Sequence, residues 1–204
     1  MKGVRRLIHV SGIGAHENSP SRYIRARAKG EAMVKQAFPD ATILRPSAIF
    51  DPADKFVNVL AKVAARLPII PLPGHGRSRL QPVYLGDVAA AIVAAIQRND
   101  ATGAIYELGG PDIFTYRGLY ELIFQLTGRS RPMMPLPFGI WNLAAAICSP
   151  MPTSPITRAQ VELMRRDNVV SSAVGSLAQL GISATTLTAI LPEYVFMRRL
   201  KRIA

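Results

Sequence analysis

Cysteine is nearly missing from this 204-residue chain. Cys148 stands alone, so no internal disulfide can form, and a reducing compartment is the expectation. The three histidines join no Cys/His cluster with the spacing of a structural zinc site, and His75 alone makes no metal site. Long apolar runs are lacking too. Val88–Ile96 and Leu143–Cys148 fall far short of the roughly 20 residues that cross a bilayer, so no transmembrane segment is expected. Lys2, Arg5 and Arg6 precede an apolar run too short for the core of a signal peptide. These absences point to a cytoplasmic protein, or one held peripherally on the cytoplasmic face of a membrane.

Acidic residues are scarce: 13 Asp and Glu stand against 25 Lys and Arg, a formal charge of +12. Such an excess suits an acidic partner, whether nucleic acid, anionic lipid or a phosphorylated ligand. The densest cluster, Arg198, Arg199, Lys201 and Arg202, lacks the interleaved aromatics of a single-strand platform, which argues against nucleic acid. It follows Tyr194, Val195 and Phe196. That is the composition of an interfacial helix for anionic lipid or a partner subunit, or of a solvated helix end whose cations complement the dipole.

What is present is ample apolar content, 49%, enough for one sizeable core. Val4–Ser11 has an apolar centre and runs into Gly12 and Gly14, as a buried strand does when it ends in a turn. Ser21–Phe38 carries apolar residues at helical spacing and stops at Pro39, and Ala41–Leu44 is a second short buried strand ended by Pro46. Strand, helix and strand imply a parallel crossover, right-handed in nearly all known cases, with its ligand outside the carboxyl ends of the strands.

Further on, the pattern predicts a helix over Phe56–Arg66, a strand over Ile69–Leu72 and an extended Gln81–Tyr84. Asp87 then caps an alanine-rich helix to about Gln97, and a strand follows at Ala104–Leu108. Thr115 can cap a helix that Gly128 ends, Met133–Leu136 reads as a last strand, and Pro135–Pro155 is proline-rich. Thr157 and Gln160 have capping-box spacing, and Leu187–Arg202 reads as a helix that must accommodate Pro192. The expected division is residues 1–136 as a nucleotide-binding part and 137–204 as a helical C-terminal region.

Chemistry concentrates at the first strand end. Ser11 closes the strand, Tyr23 opens the next helix and Arg27 follows one turn later. A serine can hydrogen-bond a substrate oxygen while a tyrosine gives or takes its proton, if a nearby cation lowers the phenol pKa from about 10.

Ser11 with Tyr23-Ile24-Arg25-Ala26-Arg27 resembles the Ser and Tyr-x-x-x-Lys pattern of the extended short-chain dehydrogenases/reductases, with Arg27 in the lysine position. Leu44-Arg45-Pro46-Ser47, Gln81-Pro82-Val83-Tyr84 with Gly86-Asp87-Val88, and Tyr106-Glu107-Leu108-Gly109-Gly110-Pro111 narrow the resemblance. Together they are similar to an atypical group, the NAD(P)-binding accessory subunit of respiratory complex I and its bacterial relatives, and the likeness extends through Asp167-Asn168-Val169-Val170.

This resemblance implies an α/β fold, the C-terminal half of a Rossmann-like doubly wound parallel sheet with a small helical C-terminal region. It implies NADP or NAD as cofactor, with Tyr23, Arg27, Pro46 and Ser47 as cofactor contacts and Ser11, Tyr23 and Arg27 as a degenerate catalytic set. The family opens on a strand and a G-x-x-G-x-x-G turn whose amides hold the pyrophosphate, and this sequence has no such turn, so a missing N-terminal half is expected. The implied protein is non-catalytic, a partner of a respiratory-chain or other membrane-associated complex, or a truncated remnant with impaired cofactor binding. The alternative is an active NAD(P)-dependent reductase, epimerase or ubiquinone-pathway enzyme that uses Ser11, Tyr23 and Arg27.

Overall fold

The computed structural model describes residues 3–149 and 156–194. In chain order its elements are β1 (Ile8–Val10), α1 (Arg22–Ala37), β2 (Thr42–Pro46), β3 (Ile49–Phe50), α2 (Val57–Arg66), β4 (Ile70–Pro73), β5 (Arg79–Leu80) and β6 (Val83–Tyr84). There follow α3 (Leu85–Gln97), β7 (Ile105–Leu108), β8 (Phe114–Thr115), α4 (Tyr116–Thr127), β9 (Met133–Leu136), α5 (Phe138–Cys148), α6 (Arg158–Met164) and α7 (Leu187–Ile190). Two compact units interleave along the chain. Among the described residues, one holds 3–50, 81–112 and 168–187, and the other holds 51–80, 113–149, 156–167 and 188–194.

The first unit is the parallel α/β part. β1, β2 and β7 form one sheet in that order, Ile8 opposite Thr42 and Leu44 opposite Tyr106. Both joins are parallel, as the strand–helix–strand pattern implies. β2 is buried almost throughout and therefore reads as an unbroken apolar run, whereas β1 at the rim is half-exposed and shorter than Val4–Ser11. Ser21 caps α1 through its side chain, and Ile24, Ala28 and Glu31 form the buried stripe. The core gathers Leu44, Tyr106 and Leu108 from the sheet, Val88, Ala91 and Ala95 from α3, and Leu177 and Leu180 from the last segment. Alanines on α3 let the helix approach the sheet closely.

The segment 168–187, expected in the helical C-terminal region, packs in this unit and covers the outer edge of β7. Gly175 donates to Ile105 and accepts from Glu107 at 3.1 and 2.8 Å, so β7 is not left with an open ladder. A Cβ at Gly175 would stand 2.4 Å from the Tyr106 ring.

In the second unit β4 pairs with β9 in parallel, β5 with β8 antiparallel, and α2 packs on α4. Thr115 caps α4 by accepting from the Gly118 amide, and Gly128 closes it in the left-handed region at φ 66°. Thr157 and Gln160 form the expected capping box on α6.

Two expectations need correction. Asp87 does not cap α3: the cap position is Tyr84, and the Asp87 carboxylate, buried in the first turn, accepts from the Thr185 amide and hydroxyl at 2.6 and 2.9 Å. The helix expected from Leu187 is also interrupted within its described part. α7 ends at Ile190 and a single 3-10 turn, Leu191–Glu193, follows, because Pro192 offers no N–H to a continuing ladder. Tyr194 is fully buried, its hydroxyl donating to Asp54, which also accepts from the Val57 amide at the start of α2. The basic residues from Arg198 onward lie outside the described residues.

Burial on α4 pushes the Tyr116 phenol up to about 12, and burial then the neighbouring Tyr116 raise Tyr120 as well. Folding therefore favours the neutral phenols, a contribution complete below the unfolded value near pH 10 and lost as pH rises through about 12. Thermal melts between about pH 9 and 12 should fall steeply, and Tyr116→Phe should flatten that fall by roughly 2 kcal/mol. An unchanged alkaline profile would show that Tyr116 is not neutralised by the fold.

Candidate functional site

β1 ends where the chain turns at Gly12, and its tip is held against β2: the Ser11 amide donates to the Leu44 carbonyl at 2.8 Å and that of Ile13 to the Pro46 carbonyl at 3.1 Å. Ser11 is buried, and its Oγ has no hydrogen-bond partner among the described residues. A buried hydroxyl is normally paired, which makes this one an exception within the unit. α1 then brings Tyr23 and Arg27, one turn apart, to the same place. Tyr23 is 41% exposed. The Arg27 guanidinium lies over its ring, 4.6 Å from the centroid, and its other side fills the space above Gly12, where a Cβ would sit 1.6 Å from a guanidinium nitrogen. Gly12 thus leaves room for a terminal nitrogen of Arg27 at the strand tip, which any side chain there would displace.

Pro46 is buried at the end of β2, opposite Leu108. Ser47 is buried next to it, its amide donating to the Leu108 carbonyl at 2.9 Å and its hydroxyl to the Asn168 carbonyl at 3.0 Å. The proton of Ser47 is thereby engaged by the protein itself. Its lone pairs remain.

Sequence reasoning treated several residues as bland that the structure shows to organise this unit. Arg45, half-buried on β2, reaches Glu31 of α1 through two hydrogen bonds of 3.0 and 2.6 Å and lies 3.7 Å from Glu107, its register partner on β7. The hydrogen bonds to Glu31 raise the Arg45 pKa above the ordinary arginine value. Glu107 in turn accepts from the Ser171 amide at 2.8 Å. The signal was in the sequence: opposite charges at matching positions of two otherwise apolar strands. Gln81 forms a second clamp, its amide donating to the Gly110 carbonyl at 2.8 Å and accepting from the Val170 amide at 3.0 Å. Gln81, Glu107, Gly109, Val170, Leu177 and Ile182 line a cleft of about 540 Å³ in this unit. Asn168 contributes an Oδ1 that is buried without a hydrogen-bond partner among the described residues.

The chain is 37% identical over 179 residues to the "NADH dehydrogenase [ubiquinone] 1 alpha subcomplex subunit 9, mitochondrial" of Arabidopsis thaliana, covering 83% of this chain and 44% of that one. The mouse protein of the same name is 35% identical, covering 91% and 49%. The chain is a homologue of these complex I subunits. It spans about half the length of these relatives. No protein-family model matches the chain.

Among solved structures, the complex I subunit homologue superposes on a nucleoside-diphosphate-sugar epimerase from Staphylococcus aureus with a TM-score of 0.68 at 16% identity, covering 97% of this chain and 65% of that one. It also matches a dTDP-glucose 4,6-dehydratase from Streptomyces venezuelae, solved with NAD bound, at 0.65 and 18%, covering 97% and 61%. These likenesses show the Rossmann-like α/β fold, as the strand–helix–strand pattern and the family resemblance led one to expect. Among the described residues no helix of the homologue is long and apolar enough to cross a membrane, and no group of His, Cys, Asp and Glu is placed to hold a metal ion.

Arg45 is the testable joint of this architecture. Arg45→Met should cost about 2–4 kcal/mol in urea unfolding, because it leaves two facing carboxylates without their cation. Adding Glu31→Gln to Arg45→Met should restore part of that loss; strictly additive losses would remove the coupling.

Proposed function

We propose that this chain binds the nicotinamide end of NAD or NADP at the tip of β1 and serves as a non-catalytic component of a respiratory-chain complex at the membrane. The observation that carries the reading is the placement of Arg27. A buried serine hydroxyl without a partner among the described residues, a half-exposed tyrosine and a guanidinium over the tyrosine ring suit a ribose and a carboxamide, which offer hydroxyl, carbonyl and amide groups. Pro46, the further contact of this reading, ends the neighbouring strand. Ser47, whose proton goes to Asn168, keeps the β2 loop in place and presents an acceptor. A bound nicotinamide would supply a hydride donor or acceptor.

The same placement disfavours turnover. Arginine stays protonated, and here it stacks on the face of the Tyr23 ring rather than presenting a compact ammonium that assists a proton in leaving the phenol. The sequence also contains no G-x-x-G-x-x-G turn, so this chain by itself offers no backbone cradle of that kind for the pyrophosphate. Its affinity for the dinucleotide should accordingly be weak. The complex I subunits that are its homologues support a place in a respiratory assembly.

A second reading, an active NAD(P)-dependent reductase using Ser11, Tyr23 and Arg27, draws on one specific likeness. Over 89 residues the chain is 39% identical to the ceramide reductase of Caulobacter vibrioides, covering 44% of this chain and 28% of that one.

Fluorescence titration with NADPH and NADH separates these readings. The proposal expects saturable binding in or above the tens-of-micromolar range, weakened about tenfold, or ~1.4 kcal/mol, by Arg27→Ala, and no oxidation of either nucleotide beyond background. Binding indifferent to Arg27→Ala and Ser11→Ala would sink the site. Turnover abolished by Tyr23→Phe would establish the reductase instead.

A further inference from the structure

Three charges meet on one face of the sheet in the first unit, and they do not cancel. Arg45 supplies one positive charge, and Glu31 and Glu107 supply two negative ones. The guanidinium is not shared evenly. Its Nε and Nη2 go to the two oxygens of Glu31 at 3.0 and 2.6 Å, whereas Nη1 stands 3.7 Å from Glu107 Oε1, beyond hydrogen-bond reach. The other oxygen of Glu107 accepts from the Ser171 amide at 2.8 Å. Glu107 is 6% exposed, so its carboxylate is little hydrated, and Oε1 has no hydrogen-bond donor among the described residues.

That carboxylate lines the cleft of about 540 Å³, and among the residues around the cleft it is the only ionisable one. Val170, Leu177 and Ile182 give the walls aliphatic surface, and Ser176 and Ser183 add hydroxyls. The volume is that of a small-molecule site. The cations nearby are occupied. Arg45 is held by Glu31, and Arg98, whose guanidinium comes within 4.0 Å of where a Cβ on Gly181 would stand, is held by Asp100 at 2.5 Å. The net charge of +12 does not decide what enters, because at about 0.15 M salt exposed charges are screened beyond roughly 8 Å.

We propose that this cleft binds a small organic amine, its ammonium on Glu107 and its aliphatic stem along Val170, Leu177 and Ile182. An ammonium brings the donor that Oε1 lacks and the positive charge that the Arg45 set is short of. A charge-assisted hydrogen bond in so sheltered a place is stronger than one in water. A neutral alcohol brings the donor without the charge, and a carboxylic acid, ionised at neutral pH, is repelled. The cleft lies inside the first unit and is lined by none of Ser11, Tyr23 and Arg27, so the inference stands apart from the nicotinamide reading.

Hexylamine, hexanol and hexanoate share one stem and differ in charge, so titrating each into the full isotope-labelled chain at neutral pH separates charge recognition from apolar filling. The amide resonances of Gly109, Val170 and Ile182 report the cleft. Hexylammonium should shift them saturably with a Kd below about 1 mM, hexanol about tenfold more weakly, and hexanoate not at all up to about 10 mM. Glu107→Gln keeps an acceptor for the Ser171 amide and should bring hexylammonium to within about twofold of the alcohol. Ser183→Trp, at an exposed wall position, should weaken amine and alcohol alike by about tenfold through filling the cleft. Arg27→Ala should change neither; a loss of amine binding there would move the amine to the β1 tip and overturn the proposal. Absence of saturable shifts at about 10 mM also overturns it, as does equal affinity for amine and alcohol, or an amine preference that survives Glu107→Gln. Should Glu107→Gln lose its dispersed spectrum, Ser183→Trp decides: amine binding undiminished in that variant sinks the cleft as the site.

Discussion

A half-buried guanidinium on the central strand holds the first unit in register. Arg45 is a charge inside an otherwise apolar strand, and its desolvation is unfavourable unless carboxylates meet it with good geometry. They come from two directions: Glu31 from the helix above, in a two-point hydrogen-bonded pair, and Glu107 from the adjoining strand. A one-residue slip between β2 and β7 would turn Arg45 and Glu107 to opposite faces, so the ion set selects one register as well as stabilising it. Glu31 lies about two turns along α1 from Tyr23, and fixing one end of a rigid helix fixes the other. The position of Tyr23 and Arg27 over the β1 tip thus depends on a contact made elsewhere on the sheet.

A second constraint is topological. β7 lies at one side of its sheet and needs something to satisfy its outward amides. The chain leaves this unit after residue 112 and returns at 168 to do that through Gly175, while the Ser171 amide donates to the Glu107 carboxylate. Gln81 joins the returning segment to the Gly109-Gly110 turn, where a Cβ on Gly110 would be 2.1 Å from the Pro82 carbonyl oxygen. The glycine is required by a close backbone approach, not by a left-handed conformation. Asp87 completes the closure by accepting from Thr185 twice.

These facts explain what the sequence disclosed and what it withheld. Caps and stops are local chemistry, so Pro39, Thr115, Gly128 and the Thr157–Gln160 box could be read directly, and with them the end of α1, both ends of α4 and the start of α6. Continuous apolar character gave β2, because a strand buried on both faces has no alternation to hide it. Asp87 was misread for the converse reason. A carboxylate in a first helical turn looks like a cap, and its true partner stands 98 residues away. Local rules also failed at Pro192, where apolar spacing continues but the ladder cannot. At the candidate site the three residues were found by their resemblance to a family pattern. The placement of Arg27 against Gly12 and over the Tyr23 ring was not legible, because it depends on Gly12 making room for it.

The arginine at position 27 divides two properties that a lysine combines. A lysine ammonium is a compact charge that can approach a phenol oxygen and a ribose in turn; a guanidinium is planar, permanently charged and drawn to an aromatic face. Stacked on Tyr23 with Gly12 on its other side, Arg27 keeps the positive field near the strand tip while losing freedom to follow a moving proton. In the proposed reading that exchange suits a site selected for occupancy rather than turnover: the cofactor's polar edge is met by fixed donors, and no group is free to complete a proton relay. The same reasoning places the burden of affinity on contacts to the rest of the dinucleotide. In that reading the strand-tip site meets one end of such a ligand, and binding at one end alone forgoes the large gain in effective concentration that a second, linked contact provides.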